Sequence, residues 1–464
     1  MSSLDRIPPE LWLEIFSLIP RDILADISLT SRTFHRVVHP VLFTHFTYYT
    51  KTAVLEAAGS AELSSYMERL YFWSSDEIGP LVRSCSITPF RVGYNYASAC
   101  SDLRVAPFLE RLPRFTGLQR LYADGVSFPR SAMAVLCRLP ALDHLELDVC
   151  RTVGELHLPG ALHISDSLSD YLILRPTAGC VCSIDHLRQL ELCCEPLALA
   201  DTLPIFPHVH ELSASWWKDP LDIHKILVFL SKFPALEVLT LQRYGAELLT
   251  LHEAGARASR LFPLLREYTG AACTLPVFLP LPTLACLTVS ICNPHELFAQ
   301  LEEFRPFNKI TSLTVSFSVF NDTLEPFDNT ALSTLCGLFP QLQELRVAIS
   351  HYGAISVILT IYIQPAAFLE ALPQTPLLPP SLESLYFAWN FDWELEYDVL
   401  PPPENLPEFA ALRDALVMRC PDLTALCIDG EDFIDKWRKY SDGTVVEATA
   451  DNWGAFVRLN DFSG

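Results

Sequence analysis

One phrase recurs along most of the chain and restricts what it can fold into. An apolar residue, usually a proline, and a small or polar residue precede Φ-x-x-Φ-x-Φ, where Φ is apolar. The phrase is plainest in CRLPALDHLELDVC, with Leu142, Leu145 and Leu147, and in KFPALEVLTL, with Leu236, Leu239 and Leu241. Variants fall at Leu118/Leu121, Leu187/Leu190/Leu192, Val209/Leu212, Leu265/Tyr268, Leu284/Leu287/Val289, Ile310/Leu313/Val315, Leu342/Leu345/Val347, Leu382/Leu385/Phe387 and Leu423/Leu426/Ile428. The closing Φ-x-Φ reads as a short strand with alternate residues buried. The pair before it, as in Phe206-Pro207, Phe233-Pro234, Phe262-Pro263 and Phe339-Pro340, stops a helix, because the residue ahead of a proline is crowded out of the helical region. Upstream of one copy, Ile223, Ile226, Leu227 and Leu230 stand at helical spacing. The unit is therefore helix, proline stop, strand. Repeated this often, such a unit buries its apolar face against its own neighbours.

This phrase resembles the leucine-rich repeat, in which the ninth position is a buried Asn or Cys. Counting on from the first apolar position gives Cys150, Cys273, Cys292 and Asn390. The resemblance implies an α/β leucine-rich-repeat solenoid, a horseshoe of short parallel strands with convex helices, over roughly residues 66–430. It also implies that Cys150, Cys273 and Cys292 are buried, unpaired and unmetallated. Weaker phrases stand at Met67/Leu70/Phe72 and Val82/Cys85/Ile87, while Gly154 to Ser183 does not fit and reads as a degenerate repeat or an insertion. Strand–helix units could also build a doubly wound sheet, but ligand-binding members of that class usually carry a glycine-rich strand-to-helix turn. Neither G-x-G-x-x-G nor G-x-x-x-x-G-K occurs here.

The first forty residues differ. Pro8 and Pro9 suit a first helical turn, Glu10 complements the helix N-terminus, and Leu11, Ile15, Leu18 and Ile19 share a face. Pro20 ends that helix, a second carries Ile23, Leu24 and Ile27, and Thr30 or Ser31 can cap a third that runs to Val38 before Pro40. Three such short helices need a partner surface, either their own array or another protein. The segment resembles an F-box, the helical module that docks on the Skp adaptor of cullin-type ubiquitin ligases. The family's opening Leu-Pro-x-Glu is matched by Ile7, Pro8, Pro9 and Glu10, its apolar marks by Leu11, Ile15, Phe16 and Leu18, and its Asp-Leu by Asp22-Ile23. Its Val-Cys-Arg-x-Trp stretch is represented by Leu29, Ser31, Arg32 and Phe34, with Phe in place of Trp. The resemblance implies adaptor contacts through Ile7, Pro8, Pro9, Glu10, Leu11, Ile15, Phe16, Leu18 and Ile23, and through the adaptor a cullin. The repeats would then present a protein target for ubiquitination, in a layout similar to the F-box/leucine-rich-repeat proteins that fungi carry in large families. A leucine-rich binding scaffold unconnected with ubiquitination is the alternative. The expected organisation is residues 1–45 as the helical module, 46–430 as the solenoid and 431–464 as a C-terminal cap or tail.

Charge and composition exclude several classes. The 464 residues carry 33 Lys plus Arg against 55 Asp plus Glu, a net charge of −22, and no concentrated basic footprint for nucleic acid. Partners steered by charge should be basic. The acidic, proline-interrupted N-terminus lacks the pattern of a signal peptide, and no apolar stretch free of proline is long enough to cross a membrane. The expected compartment is cytoplasm and/or nucleus, with the 14 cysteines reduced. Catalysis has no candidate centre: G-x-S-x-G is absent, and the His-Glu pairs at 210, 252 and 295 lack the second His of H-E-x-x-H. Cys180, Cys182, Cys193 and Cys194 around His186 lack the usual zinc spacing. No metal, cofactor or enzymatic activity is expected. If the register holds, the outward strand positions Arg120, Tyr122, Asp124, His144, Glu146, Asp148 and Glu191 face the target. Trp389 and Trp393, in the acidic aromatic segment 389–408, are candidates for a recognition lid.

Overall fold

A computed structural model describes residues 9–51, 60–90, 102–124, 126–128, 132, 135–136, 138–148, 151–152, 161–165, 188–193, 205–216, 223–243, 254–301, 306–320, 327–352, 364–391, 407–430 and 433–448. The chain divides into two compact units, Met1–Trp216 with Val228–Ala235, and Trp217–Leu227 with Leu236–Gly464.

The first unit opens with three helices, α1 (Pro9–Ser17), α2 (Arg21–Thr30) and α3 (Arg32–Leu42). Its strands are β1 (His45–Lys51), β2 (Ser84–Phe90), β3 (Arg120–Asp124), β4 (Ser127–Phe128), β5 (His144–Asp148), β6 (Arg151–Thr152), β7 (Ala161–Ser165), β8 (Gln189–Cys193) and β9 (Glu211–Trp216). β4 and β6 pair only with each other; the rest form a parallel sheet in chain order. The second unit holds β10 (Val238–Arg243), β11 (Glu267–Gly270), β12 (Cys286–Cys292), β13 (Ser312–Phe320), β14 (Glu344–Tyr352), β15 (Ser384–Phe391) and β16 (Ala425–Gly430), again parallel and in chain order. Two antiparallel strands, β17 (Phe433–Lys439) and β18 (Val445–Ala448), finish it. Sequential parallel pairing with no strand-order reversal is the topology of a leucine-rich-repeat solenoid, and it excludes the doubly wound alternative.

The phrase explains the packing. In the copies beginning at Leu236, Leu284, Ile310, Leu342, Leu382 and Leu423, all three apolar positions are at most 2% exposed. Each repeat also hangs on its predecessor by backbone: Gln343 and Glu344 N–H donate to the Thr311 carbonyl, and Glu383 and Ser384 N–H to the Gln343 carbonyl. The phenylalanine of the helix-stopping pair is buried, and Phe206 stacks on Phe233 (5.2 Å, 9°) while Phe307 stacks on Phe339 (5.4 Å, 21°). Ring stacking thus adds to area burial in joining consecutive repeats. In β11 the last apolar position is Gly270, because Tyr268 occupies that space: a Cβ there would lie 2.0 Å from the Tyr268 Oη, which bonds instead to Thr274 Oγ1.

Several details differ from the sequence reading. Met67, Leu70 and Phe72 belong to the helix Ser60–Trp73 and not to a strand, since Met67 and Leu70 are spaced i, i+3 among good helix formers. Inside Gly154–Ser183, β7 supplies a strand, with Leu162 in register between Leu145 and Leu190. β13 and β14 are nine residues long and not short, because apolar alternation continues through Val315 and Phe317, and through Val347 and Ile349. The helix α3 runs through Pro40 to Leu42; so close to its end, the proline forfeits a single backbone bond.

Candidate functional site

The helical module has its own core. Phe16, Leu24 and Val38 are buried, with Trp12, Ile19, Ile27, Phe34, Val37, Val41 and Leu42 packed around them. Trp12 stacks on Phe16 (5.4 Å, 21°), and Phe34 meets both rings edge-on, at 4.9 and 5.7 Å. Ser31 starts α3: its Oγ accepts from the Phe34 N–H at 3.0 Å. At the other end, Phe43 packs on Phe72 (5.7 Å) and Trp73 (5.3 Å), and Phe46 stacks on Trp73 (4.9 Å), tying the module to the first repeats.

The remaining apolar side chains are left outside. Leu11 and Ile15 on one face of α1, and Leu18 in the turn that follows it, are 49%, 43% and 85% exposed, and Ile23 on α2 is also exposed. Leu13 and Leu29 are exposed as well, and sequence reasoning did not single them out for contact because neither lies on that stripe. Phe16, expected among the contact residues, is 2% exposed: its ring fills the centre of the three-helix core and supports the outer face without belonging to it. Pro9 and Glu10 open α1, while Ile7 and Pro8 lie outside the described residues.

On the strand face turned away from the packed leucines, the first unit lines up Ser86, Tyr122, Glu146, His163, Glu191 and Ser213 in one lateral row. Ser84, Arg120, His144, Ala161, Gln189 and Glu211 form the next. Arg120 is exposed; Tyr122, His144, Glu146 and Glu191 are half-buried. The His144 Nε2 lies 4.0 Å from a Glu146 carboxylate oxygen, and Gln189 Nε2 donates to Glu211 at 2.7 Å. Asp124 is 5% exposed and does not join this surface: the alternation ends at Ala123 and Asp124, both buried, where the chain leaves β3 toward buried Val126. Asp148 is in register with Asp124 and Ser165.

In the second unit the equivalent row reads Thr240, Thr269, Thr288, Thr314, Arg346, Tyr386, Cys427 and Lys436. Hydroxyls dominate until the end, where Tyr386 Oη donates to Asp429 at 3.3 Å. Burial raises the Asp429 carboxyl above the ordinary range, opposed by the Lys436 ammonium, and pushes the Cys427 thiol up to about 12. Trp389, expected in a lid, is 4% exposed: β15 extends past its phrase, so Trp389 follows Leu385 and Phe387 inward, stacked on Phe387 (6.0 Å) and edge-on to Phe368 (5.8 Å). Trp393 lies outside the described residues. Cys273 and Cys292 are buried free thiols, and Cys150 lies outside the described residues. Among the described residues, no group of three His, Cys, Asp or Glu is placed to hold a metal ion, and no helix is long and apolar enough to cross a membrane.

The fold defines a leucine-rich-repeat array headed by a small helical module with an exposed apolar face. An F-box-like family model matches residues 4–48, so that head is F-box-like. No curated protein matches the chain significantly. Among solved structures, the chain is similar to the Rad7–Elc1 complex of yeast, at 12% identity over 84% of this chain and 97% of that one, with a TM-score of 0.33. It is also similar to a Bacteroides fragilis protein (14% identity, 57% and 72% covered, TM-score 0.33) and to an internalin of Listeria monocytogenes (12%, 77% and 82%, TM-score 0.28).

Proposed function

We propose that the chain is the substrate-recognition subunit of a Skp–cullin–F-box ubiquitin ligase, a binding subunit and not an enzyme, acting in cytoplasm and/or nucleus. The observation that carries this reading is the outer face of the F-box-like module: Leu11 and Ile15 of α1 and Leu18 of the turn after it are exposed although Phe16, Leu24 and Val38 complete a core behind them. Exposed apolar side chains gathered on one helix face, backed by a rigid core, fit a protein contact and not a solvated surface. On this reading the Skp-type adaptor covers the face and links the chain to a cullin. The strand face of the array, with Glu146 and Glu191 half-exposed in one row, receives a protein target that brings Lys or Arg.

The test is capture of a Skp-type adaptor by the full chain. Leu11→Asp together with Ile15→Asp would place unpaired carboxylates in the contact, at a cost of several kcal/mol. Capture should disappear while circular dichroism and the thermal transition stay unchanged. Undiminished capture by the double variant would remove the receptor reading.

A further inference from the structure

We propose that the first unit binds an amphipathic carboxylate, an apolar chain ending in a single carboxylate, in a cavity between the three-helix module and the starts of β1 and β2. The cavity has a volume of about 520 Å³, within the range of small-molecule sites. Its apolar side chains come from Phe16 of α1, Ile19 between α1 and α2, Leu24 of α2, Val41 of α3 and Leu81 of the turn before β2. Thr44 also lines it but offers no open polar group: its carbonyl accepts the Arg83 and Ser84 N–H groups, and its hydroxyl donates to the Pro40 carbonyl.

Two basic side chains line the cavity, His45 at the start of β1 and the exposed Arg83, and Arg83 carries the permanent charge. Its guanidinium makes one hydrogen bond, from Nη1 to the Gly117 carbonyl at 3.0 Å, and has no carboxylate partner among the described residues. That is notable in a chain where acids outnumber bases 55 to 33. A guanidinium has five N–H donors in a planar fork, and the fork matches a carboxylate with two parallel bonds. A permanent cation with no carboxylate partner among the described residues, set beside these apolar side chains, suits a carboxylate on an apolar body. Because the lining comes from all three helices and from the first repeat turn, an occupant would fasten the module to the array. This inference does not depend on the ubiquitin reading.

The experiment is isothermal titration of the full chain with dodecanoate and with dodecanol, both below micellar concentration. Dodecanoate should bind one to one, and dodecanol at least about tenfold more weakly, reflecting the lost charge-assisted bonds. Arg83→Gln, whose amide can still donate to the Gly117 carbonyl, should bring dodecanoate down to the level of dodecanol. Ile19→Trp should fill the cavity and lower both. Equal affinity of the parent for the two probes, a preference unchanged in Arg83→Gln, or no saturable binding of dodecanoate would each overturn the proposal. Thermal melts establish that the variants are folded. Should either variant unfold, the dodecanoate-to-dodecanol ratio of the parent decides alone. Adaptor capture does not enter the readout, so failure here leaves the receptor reading standing.

Discussion

Leucine has two different roles in this molecule. In the repeats, Leu342, Leu345 and Val347 are fully buried because the preceding and following strands present the same phrase in register. In the N-terminal module, Leu11, Ile15 and Leu18 remain exposed although α1 and the turn after it, which carry them, are backed by a core. A repeat finds its partner in the next repeat, whereas three short helices run out of their own surface once Phe16, Leu24 and Val38 are covered. Apolar density alone therefore does not distinguish a structural leucine from a docking leucine. What distinguishes them is whether the chain itself supplies the neighbour.

The sharpest way to break this comparison is to make the same substitution on both sides of it. Leu345→Asp would place a carboxylate at a fully buried position between β13 and β15, with no cation in register: its strand partners are Leu313 and Leu385. Burial of an unpaired charge should cost more than about 4 kcal/mol and collapse the cooperative transition of the second unit. Leu18→Asp, at 85% exposure, should shift the denaturation midpoint by no more than about 0.5 kcal/mol and act only on adaptor capture. Chemical denaturation followed by circular dichroism compares the two directly. Similar losses of stability in both variants would mean that Leu18 is structural and that the contrast is misplaced.

Much of this architecture was legible in the sequence because the repeat states its own periodicity. Each Φ-x-Φ announces a strand, and each Phe-Pro announces the end of the helix before it. What escaped was local. β7 was hidden because Pro159 and Gly160 replace the opening of the phrase, leaving only Leu162 and Ile164 to mark it. Asp124 was assigned outward by simple alternation, and Trp389 to a lid by the acidic aromatic segment it opens, yet one lies where the strand ends and the other where it overruns. In the module, helical periodicity placed Leu11, Ile15 and Leu18 on one face, but no spacing rule could say that Phe16 turns inward among Trp12 and Phe34. The site cavity was not legible at all, since Leu24 and Arg83 meet only through tertiary packing.

The inward role of Phe16 offers a second, smaller test. Phe16→Ala removes the ring that stacks on Trp12 and meets Phe34, with a cost of about 3 kcal/mol for a buried phenylalanine. A module this small has little stability to lose, so the damage should be confined to it. Backbone hydrogen exchange should accelerate across α1, α2 and α3 while the amides of β13 and β14 keep their protection. Adaptor capture should fall as well, because the outer face loses its support. Unchanged exchange in the three helices would return Phe16 to the contact surface, where its sequence position first suggested it.

The smallest expected effect separates the start of α3 from the packing around it. The Ser31 Oγ accepts the Phe34 N–H, one of the donors that a helix N-terminus leaves without an intrahelical partner. Ser31 is itself exposed, so its replacement leaves the Phe16 cluster intact and tests the cap alone. Ser31→Ala should cost about 1 kcal/mol, and Ser31→Asp should restore it, because a carboxylate accepts the same bond and also complements the positive end of the helix dipole. The measurement is hydrogen exchange at the Phe34 amide, compared with the amides of α1. Faster exchange at Phe34 in Ser31→Ala, reversed in Ser31→Asp, would locate the loss at the helix start. Equal acceleration across α1 and α3 would instead show that the three helices open as one, and that the module's weak point is its shared core.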